Sequence, residues 1–515
     1  MHRFNKFDFL CLIVLALSSF GVSQTENFVG ESTGTASCTP PAYGCARSDL
    51  IKTDNLNPAP NMSAGKNTVV TPSDFNLPIV RVTDGKNYQN RTMTVTFSGS
   101  NGDNIFNTND TYLVVDDEDG WRYPVALDPA TMQVQNASPW VLGANQVRWA
   151  GSGSFSRVNP NTFFGVLGAG GYVKNANNGN STTLYKISLS GTTSVSASGV
   201  KIFDFASCPG MPNPYNIGRG MWRSAMTVSA GDKRFAQAFS NQGGQNTGGD
   251  VTVYDATSGH CYRYDTAHAR LCTSAGCVPM SLPDKFTVHE VYMSLDGNYL
   301  RITFGKCISG SCSQTNGSHP YFWEIGTPNV VLCSNTSHSA NCAGHMVEGY
   351  THVYNTTVWP ITGRRAFTDP FSYTLLNATP ALDPITDQHY SNNAADPDDT
   401  APIWVTNVQN VRTAFGGEGC NRTGNPYEGC AFPGPLYGEI FGITQRGGYV
   451  RAAHTYNSGS SPDFNCKETI GAVSQTGRFF AWSSDWMTTL GKDNFGHNRC
   501  DVFIVHLAAE QGAAH

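Results

Sequence analysis

The chain has 515 residues, and its 39 acidic residues outnumber its 33 Lys and Arg residues, which gives a formal net charge of −6 at pH 7. Only 14% of the residues are charged, and the sequence contains no stripe of basic residues. This composition argues against nucleic acid or an anionic membrane as a partner. We predict a monomeric protein that binds neither.

The first residues have the features of a secretory signal peptide. Basic residues precede an apolar run from Phe9 to Leu17, and the small residues Gly21 and Ser23 follow it. The apolar run is too short to span a bilayer, and no later stretch of the sequence reaches the required length. We therefore predict a signal peptide over residues 1–24 and an exported mature protein, either extracellular or periplasmic.

The cysteines indicate an oxidising compartment. Of the 15 cysteines, Cys11 lies in the predicted signal peptide, which leaves an even number, 14. Close pairs that we predict to be disulfides are Cys38/Cys45, Cys272/Cys277, Cys307/Cys312, Cys333/Cys342 and Cys420/Cys430. The remaining four, expected to form two longer bridges, are Cys208, Cys261, Cys466 and Cys500. The spacings do not match a zinc ribbon, and disulfides are typical of exported proteins.

The rest of the chain divides into an arm, a large strand-rich region and a tail. Residues 25–76 are rich in Ser, Thr, Pro, Asn and Gly without apolar periodicity, so we predict a flexible N-terminal arm. Residues 77–508 alternate between short apolar strands and Gly, Asn or Asp turns, and residues 509–515 form a tail. A region of that size exceeds what one sandwich core normally supports, so we expect small sheets arranged side by side.

Three segments share a polar turn with Gly followed by an aromatic-rich strand. They are SAGDKRFAQAF (229–239), SLDGNYLRITF (294–304) and SQTGRFFAWSS (474–484). Strand–turn–strand segments such as VTVYDATSGHCYRYD complete a four-stranded pattern, which is typical of one blade of a β-propeller. On this pattern the blades begin near Met93, Val147, Trp222, His289, His345, His389 and Glu468.

The last predicted blade lacks its outer strand, because the chain ends soon after DVFIVHL (501–507). The segment LPIVRVTDG (77–85) is available to replace it and would remove an exposed sheet edge. The predicted fold is therefore all-β, a seven-bladed β-propeller closed by an N-terminal strand. Six and eight blades are the alternatives, because the second and sixth blades are irregular in sequence.

The turn Ser294–Gly297 and, in degenerate form, Ser474–Gly477 resemble the Trp-Asp-like repeats of secreted bacterial propellers, which include oligogalacturonate lyases. The ending RFFAWSSDWMTTLG…RCDVFIVHL also resembles other secreted propellers of soil bacteria. In the lyases, His and Gln side chains at the channel mouth hold a metal that binds the substrate carboxylate. The resemblance implies His289, Gln388 and His389 as counterparts, and it supports the fold more strongly than the activity.

Four histidines recur near the predicted junctions between blades, namely His289, His345, His389 and His454, at steps of 56, 44 and 65 residues. Equivalent points in successive blades face the same end of the central channel, so we expect the imidazoles to converge there. Convergent imidazoles can hold a divalent metal or supply a general base. A simpler interpretation applies to each alone, since a histidine at a strand start often only hydrogen-bonds to the next blade.

We assign roles to these residues as follows. The predicted ligands of one divalent metal, Mn or Ca, are His289, His345, Gln388 and His389. Catalytic roles are predicted for His454 and for Arg451, because Arg451 lies three residues before His454 and a guanidinium matches a uronate carboxylate with two parallel hydrogen bonds. The acidic segments 116–119 and 396–399 also admit calcium, although we interpret them as a turn and a solvated loop.

Two functions are compatible with these patterns. The first is an exported, carbohydrate-active propeller with a histidine-lined metal site and lyase-like chemistry on acidic polysaccharide. The alternative is a non-catalytic scaffold that binds a glycan or a protein at the cell surface. The fold hosts both roles, so the choice depends on the site.

Overall fold

The computed structural model describes residues 38–40, 42–51, 59–87, 90–95, 104–118, 121–136, 149–167, 182–211, 226–240, 248–308, 320–333, 345–358, 361–376, 388–392, 395–407, 436, 438–461, 466 and 469–509. The predicted signal peptide and all but the first residue of the predicted tail lie outside these ranges. Strands dominate the described residues, and the short 3₁₀ helices Gly85–Asn87 and Phe205–Ser207 lie between them.

The strands are numbered in chain order. Two strands precede the first blade: β1 (Val69–Val70) and β2 (Ile79–Arg81). Blade 1 contains β3 (Met93–Thr94), β4 (Tyr112–Asp117) and β5 (Trp121–Ala126). Blade 2 contains β6 (Trp149–Phe155), β7 (Thr162–Leu167), β8 (Thr183–Ser190) and β9 (Ser196–Asp204). Blade 3 contains β10 (Thr227–Val228), β11 (Arg234–Ser240), β12 (Gly248–Asp255), β13 (His260–Asp265), β14 (Arg270–Thr273) and β15 (Gly276–Pro279).

The remaining four blades follow the same order. Blade 4 contains β16 (Phe286–Met293), β17 (Tyr299–Cys307), β18 (Pro320–Glu324) and β19 (Val330–Leu332). Blade 5 contains β20 (Met346–Glu348), β21 (His352–Val358), β22 (Ile361–Ala366) and β23 (Asp369–Leu375). Blade 6 contains β24 (Gln388–Ser391), β25 (Ile403–Asn407), β26 (Glu439–Ile443) and β27 (Tyr449–His454). Blade 7 contains β28 (Gly471–Val473), β29 (Phe479–Ser484) and β30 (Asp501–His506), with β2 and β1 added at its outer edge.

The predicted seven-bladed propeller is confirmed. Within each blade, neighbouring strands pair antiparallel in chain order, and a short pairing of Trp121 with Ala150 joins the edges of blades 1 and 2. The seven inner strands β3, β6, β10, β16, β20, β24 and β28 each begin within five residues of the predicted blade starts. Apolar clusters bridge neighbouring blades; for example, Trp404 of blade 6 packs in one cluster with Trp482 of blade 7. The core is therefore a series of interfaces between sheets.

The N-terminal strand closes the ring as predicted. β2 pairs antiparallel with β30, with Ile79 opposite Val505 and Arg81 opposite Phe503. Behind this pairing lies a buried ion pair, in which the Arg81 guanidinium is 2.6 Å from Asp501. Asp501 also accepts hydrogen bonds from the Thr83 hydroxyl at 2.8 Å and from a backbone amide at 2.8 Å. The closing strand is thus held by both backbone and side-chain bonds.

Parts of the N-terminal arm pack onto the propeller. Tyr43 is 2% exposed and donates from its hydroxyl to the Gly477 carbonyl at 2.9 Å, while Trp486 donates from its indole to the Pro60 carbonyl at 2.6 Å. Gly477 has a φ of +72°, and a Cβ there would lie 2.5 Å from the Tyr43 hydroxyl. Only glycine leaves room for this contact. The described arm residues therefore extend the core of blades 6 and 7.

Disulfides form in the close pairs Cys38/Cys45 and Cys272/Cys277, as predicted, and the structure supplies the pairing of the four remaining cysteines. The described bridges are Cys38–Cys45, Cys208–Cys261, Cys272–Cys277 and Cys466–Cys500. Cys307 and Cys333 are also disulfide-bonded, and their predicted partners Cys312 and Cys342 lie outside the described residues, as does the Cys420/Cys430 pair. These bridges are consistent with an oxidising compartment. In the described part of the chain, no helix has the length and apolarity needed to cross a bilayer.

We expect the Arg81→Leu substitution to lower the free energy of unfolding by about 3 kcal/mol, because it removes the nearer of the two guanidinium groups beside the buried Asp501 carboxylate and leaves Arg499 at 3.8 Å. Urea unfolding followed by tryptophan fluorescence measures the change. The control is Lys201→Leu, which removes an ion pair with Asp204 whose side chains are 56% and 32% exposed, and it should cost less than about 1 kcal/mol. Equal losses for the two variants would show that closure does not depend on Arg81.

Asp110 should make the stability of the protein depend on pH. Its side chain is buried at the junction with blade 7, where Thr476 donates to it, and burial raises its pKa from 3.8 to about 6. The folded state therefore favours the protonated carboxyl, and this stability is lost as the pH rises from about 4 through 6. The Asp110→Asn side chain has the same shape but does not ionise. The free energy of unfolding of this variant minus that of the parent protein should therefore be about 1–3 kcal/mol larger at pH 7.5 than at pH 4.5. The exposed Asp398→Asn serves as the control, and a parallel pH profile in both variants would contradict the assignment.

Candidate functional site

Two of the predicted histidines lie side by side on the inner strands of neighbouring blades. His345 immediately precedes β20 of blade 5, and His389 is the second residue of β24 of blade 6. Their Nδ1 atoms are 3.1 Å apart and their ring centroids 4.4 Å apart. His389 is 1% exposed and His345 is half-buried. These two residues, called the histidine pair below, occupy corresponding positions because successive inner strands run in the same direction.

The distance within the histidine pair allows two kinds of chemistry. A separation of 3.1 Å is a hydrogen-bond distance if one Nδ1 carries a proton and the other accepts it. Two nitrogens that each lie about 2.1 Å from one metal ion at a right angle are about 3.0 Å apart, so the same spacing also suits two adjacent ligands of a divalent cation. The pair can therefore share a proton or hold a cation.

The other predicted metal ligands do not complete a cluster among the described residues. Within these residues, no group of three or more His, Cys, Asp or Glu side chains is arranged to hold a metal ion. Gln388 is the first residue of β24, next to His389 in the chain, and its side chain lies outside what the structure describes. The histidine pair thus fits part of a divalent-metal site.

His289 lies on β16 of blade 4, at an irregularity in the pairing between β16 and β17. Its side chain is 39% exposed, and its Nδ1 is buried 3.7 Å from the carboxylate of Glu290. Interaction with Glu290 raises the pKa of the His289 imidazole, and burial partly opposes this rise. An exposed imidazole made more basic by a carboxylate has the properties of a general base.

A buried ion pair between blades 4 and 5 lies beside this histidine, and the sequence did not single it out. Arg301 of β17 contacts Glu348 of β20, both side chains are at least 96% buried, and the guanidinium lies 4.6 Å above the Tyr292 ring. Burial raises the pKa of Glu348, and Arg301 opposes this rise. The only sequence signal was the Glu in AGHMVEGY, a segment noted for its histidine. The Arg301–Glu348 ion pair thus connects blade 4, which carries His289, to blade 5.

A small cavity lies where several inner strands end. Its lining comes from five blades and includes Arg157, Thr227, Tyr292, Glu348 and Asn392. Burial lowers the pKa of the Arg157 guanidinium to about 10. Arg157 thus lies where the inner strands end, whereas the histidine pair lies where β20 and β24 begin.

Arg451 and His454 do not join the histidine pair. Both lie on β27, the outer strand of blade 6, three strand spacings or about 14 Å from inner strand β24. The Arg451 guanidinium donates twice to Glu439, at 2.6 and 2.8 Å, and once to the Ile51 carbonyl at 2.8 Å.

His454 is equally enclosed by the arm. Like Arg451 it is 0% exposed, its Nε2 is 3.3 Å from the Asp74 carboxylate, and its ring packs edge-on against Phe75. The contacts of both residues anchor arm residues to blade 6. Their predicted catalytic role stays a prediction, and it would require the arm to leave β27.

The two acidic segments are used in local structure. Asp399 accepts from the backbone amides of Tyr350 at 2.8 Å and Thr351 at 3.0 Å, so it connects the loop before β25 to blade 5. Asp117 pairs with Arg91 at 2.7 Å, and Asp116 pairs with Arg122 at 3.2 Å. Residues 119 and 120, at the tip of the predicted turn, lie outside the described residues.

Comparison with known proteins finds similar solved structures but no sequence relative. No family model matches the sequence, and no curated protein matches it. Its fold is similar to the crystal structure of an oligogalacturonate lyase from Vibrio parahaemolyticus, at 11% identity and a TM-score of 0.45, over 85% of this chain and 96% of that chain. It is also similar to an oligogalacturonate lyase in complex with manganese, at 8% identity and a TM-score of 0.47, over 90% of this chain and 97% of that chain. The predicted distant similarity is confirmed for the fold, which does not determine activity.

Proposed function

We propose that the protein is an exported propeller that acts on acidic polysaccharides by a metal-assisted, lyase-like elimination in its central channel. The observation that carries this proposal is the 3.1 Å distance between the Nδ1 atoms of His345 and His389 on neighbouring inner strands. A buried imidazole pair of this kind is expensive to desolvate unless it is hydrogen-bonded or bound to a cation. The predicted signal peptide and the disulfides agree with a substrate outside the cytoplasm.

In the proposed elimination, the histidine pair and His289 would have different roles. His345 and His389, with Gln388, would hold a divalent cation, which when bound neutralises a uronate carboxylate and acidifies the proton on the adjacent carbon. His289 takes that proton, as its exposed ring and the neighbouring Glu290 suit a base. The bond from the next ring carbon to the glycosidic oxygen then breaks, and the electrons of the broken carbon–hydrogen bond form a carbon–carbon double bond. The glycosidic oxygen leaves with its bonding electrons and takes a proton from water, and His289 returns its proton to solvent.

The first test is metal binding. We expect the purified parent protein to bind one Mn²⁺ per chain and the His345→Ala/His389→Ala variant to lose at least tenfold in affinity, because both described ligands are removed. Equilibrium dialysis with elemental analysis measures the stoichiometry. The matched control is His497→Ala, which removes an imidazole that is 46% exposed on a turn of blade 7. A parent protein that binds no divalent metal would contradict the metal site.

The second test is chemistry. We expect incubation with uronate polymers to give unsaturated products that absorb ultraviolet light, and His289→Gln to lower the rate by about 10²–10⁴-fold, as for loss of a general base. Because Glu290 raises the pKa of His289, the rate should increase with pH through a value above the usual 6.5, where the imidazole becomes neutral. His497→Gln, on an exposed turn of blade 7, is the control. A rate unaffected by His289→Gln would remove this residue from the mechanism.

A second function remains a candidate because the described residues contain no three-ligand group. In this reading the histidine pair only shares a proton between blades 5 and 6, and the propeller binds a glycan or a protein through its loops. Absence of both metal and unsaturated products, together with retained binding of a uronate polymer, would favour this scaffold role over the lyase.

A further inference from the structure

Blade 3 differs from the other described blades by an added hairpin. Strands β14 and β15 extend the sheet beyond β13, and the Cys272–Cys277 bridge joins them. A second bridge, Cys208–Cys261, ties the segment after β9 to β13. A four-stranded blade closes without either bridge, so both belong to the added hairpin and the segment next to it.

The hairpin and the segment after β9 border a cavity of about 280 Å³. Three residues of its lining each lie two positions from a bridged cysteine: Gly210, Arg263 and Arg270. Gly210 has a φ of +68°, and a Cβ there would lie 3.0 Å from the Arg263 guanidinium. The two disulfides therefore fix the walls of the cavity, and the glycine keeps it open.

The floor of the cavity is made of buried charges. Asp250 on β12 is directly opposite Asp265 on β13, an arrangement of like charges that is unfavourable without a cation. The Arg263 guanidinium supplies that cation, 2.5 Å from Asp250 and 3.4 Å from Asp265. All three side chains are at least 92% buried. The planar groups are thus held rigidly, as a binding site requires.

At the exposed rim of the cavity, the unused hydrogen-bonding capacity belongs to donors. Asp265 is already occupied by His268, whose Nδ1 is 2.9 Å from both carboxylate oxygens, and by Arg270 at 3.1 Å. Among the described residues, the Arg270 guanidinium makes this one hydrogen bond with five N–H groups, and its side chain is 45% exposed. The His268 side chain, 62% exposed, lies beside it at the rim. A ligand that fills the cavity must therefore supply acceptors.

We propose that this cavity is a binding site for a uronate unit of an acidic saccharide, with the sugar carboxylate on Arg270 and the ring against Gly210 and the charged floor. A guanidinium with free N–H groups matches a carboxylate through two parallel hydrogen bonds. The volume of about 280 Å³ is near the lower end for small-molecule sites and exceeds the needs of a lone carboxylate. The site lies on blade 3, away from the histidine pair of blades 5 and 6, so it can anchor a chain whether or not the channel is catalytic.

The test is calorimetric titration of the full mature chain with trigalacturonate. The His345→Ala/His389→Ala background is used so that the channel pair does not contribute. We expect one site per chain, at least tenfold weaker binding after Arg270→Gln, and a similar loss after Ala267→Trp, which fills the cavity from its lining turn. Arg446→Gln, which removes an exposed guanidinium from a turn of blade 6, should leave binding unchanged.

Two further ligands identify what is recognised. The same trisaccharide with its carboxyls reduced to alcohols should bind at least tenfold more weakly, and acetate at equal carboxylate concentration should not compete. Thermal melting of each variant within about 2 °C of the background protein shows that the fold is kept. Unchanged affinity in Arg270→Gln, equal binding of the reduced sugar, competition by acetate or no binding of trigalacturonate would each overturn the proposal.

Discussion

Closure of the ring by β2 and β30 is the constraint on which the rest of the propeller depends. Each blade buries its faces only against its two neighbours, so an open ring would expose an apolar face on both end blades. The closing strand comes from residues before the first blade, which fixes blade 7 against blade 1 in one register. The buried Arg81–Asp501 pair reinforces that register, because an incorrect pairing would leave a charge buried without a partner.

A closed ring gives equivalent positions to residues that are far apart in sequence. His345 and His389 are 44 residues apart, about one blade, and they meet because each sits where its inner strand begins. Repetition alone brings the two imidazoles together. A chemical pair can therefore arise at the channel without any loop folding over it, and the surrounding strands, including the Arg301–Glu348 connection, keep its geometry rigid.

The features that could be predicted from the sequence are those set by period and pattern. The blade starts, the closing strand at 79–81 and the short-range disulfide Cys272–Cys277 all follow from spacing. The arm shows the limit of such reasoning. Its polar composition suggested flexibility, while a few large side chains, such as Tyr43 and Phe75, bury themselves in or beside the propeller. Individual anchors of this kind leave no periodic signal.

The candidate sites could be predicted only in part for the same reason, since contacts between distant segments leave no periodic signal. The spacing of the histidines gave His454 and His389 equal weight as site residues. His454 instead falls on an outer strand beneath the arm, because 31 residues separate Asn407, the last residue of β25, from Glu439, the first residue of β26. The cavity of blade 3 could not be predicted, because the sequence indicated a long bridge for Cys208 and Cys261 but not their pairing across 53 residues.

The arginines of this protein differ in how many of their N–H groups already donate hydrogen bonds within the protein. Around Arg451 the guanidinium is consumed by Glu439 and by backbone carbonyls of the arm, so the charge can do no more than hold two segments together. At the rim of the blade 3 cavity, Arg270 donates one N–H to Asp265, and its side chain is 45% exposed. A fixed charge with spare donors beside an open cavity has a lower free energy when an anion arrives, whereas a saturated one gains nothing. The number of unused N–H donors therefore distinguishes an arginine that can bind a ligand from one that only connects protein segments, and it does so better than burial.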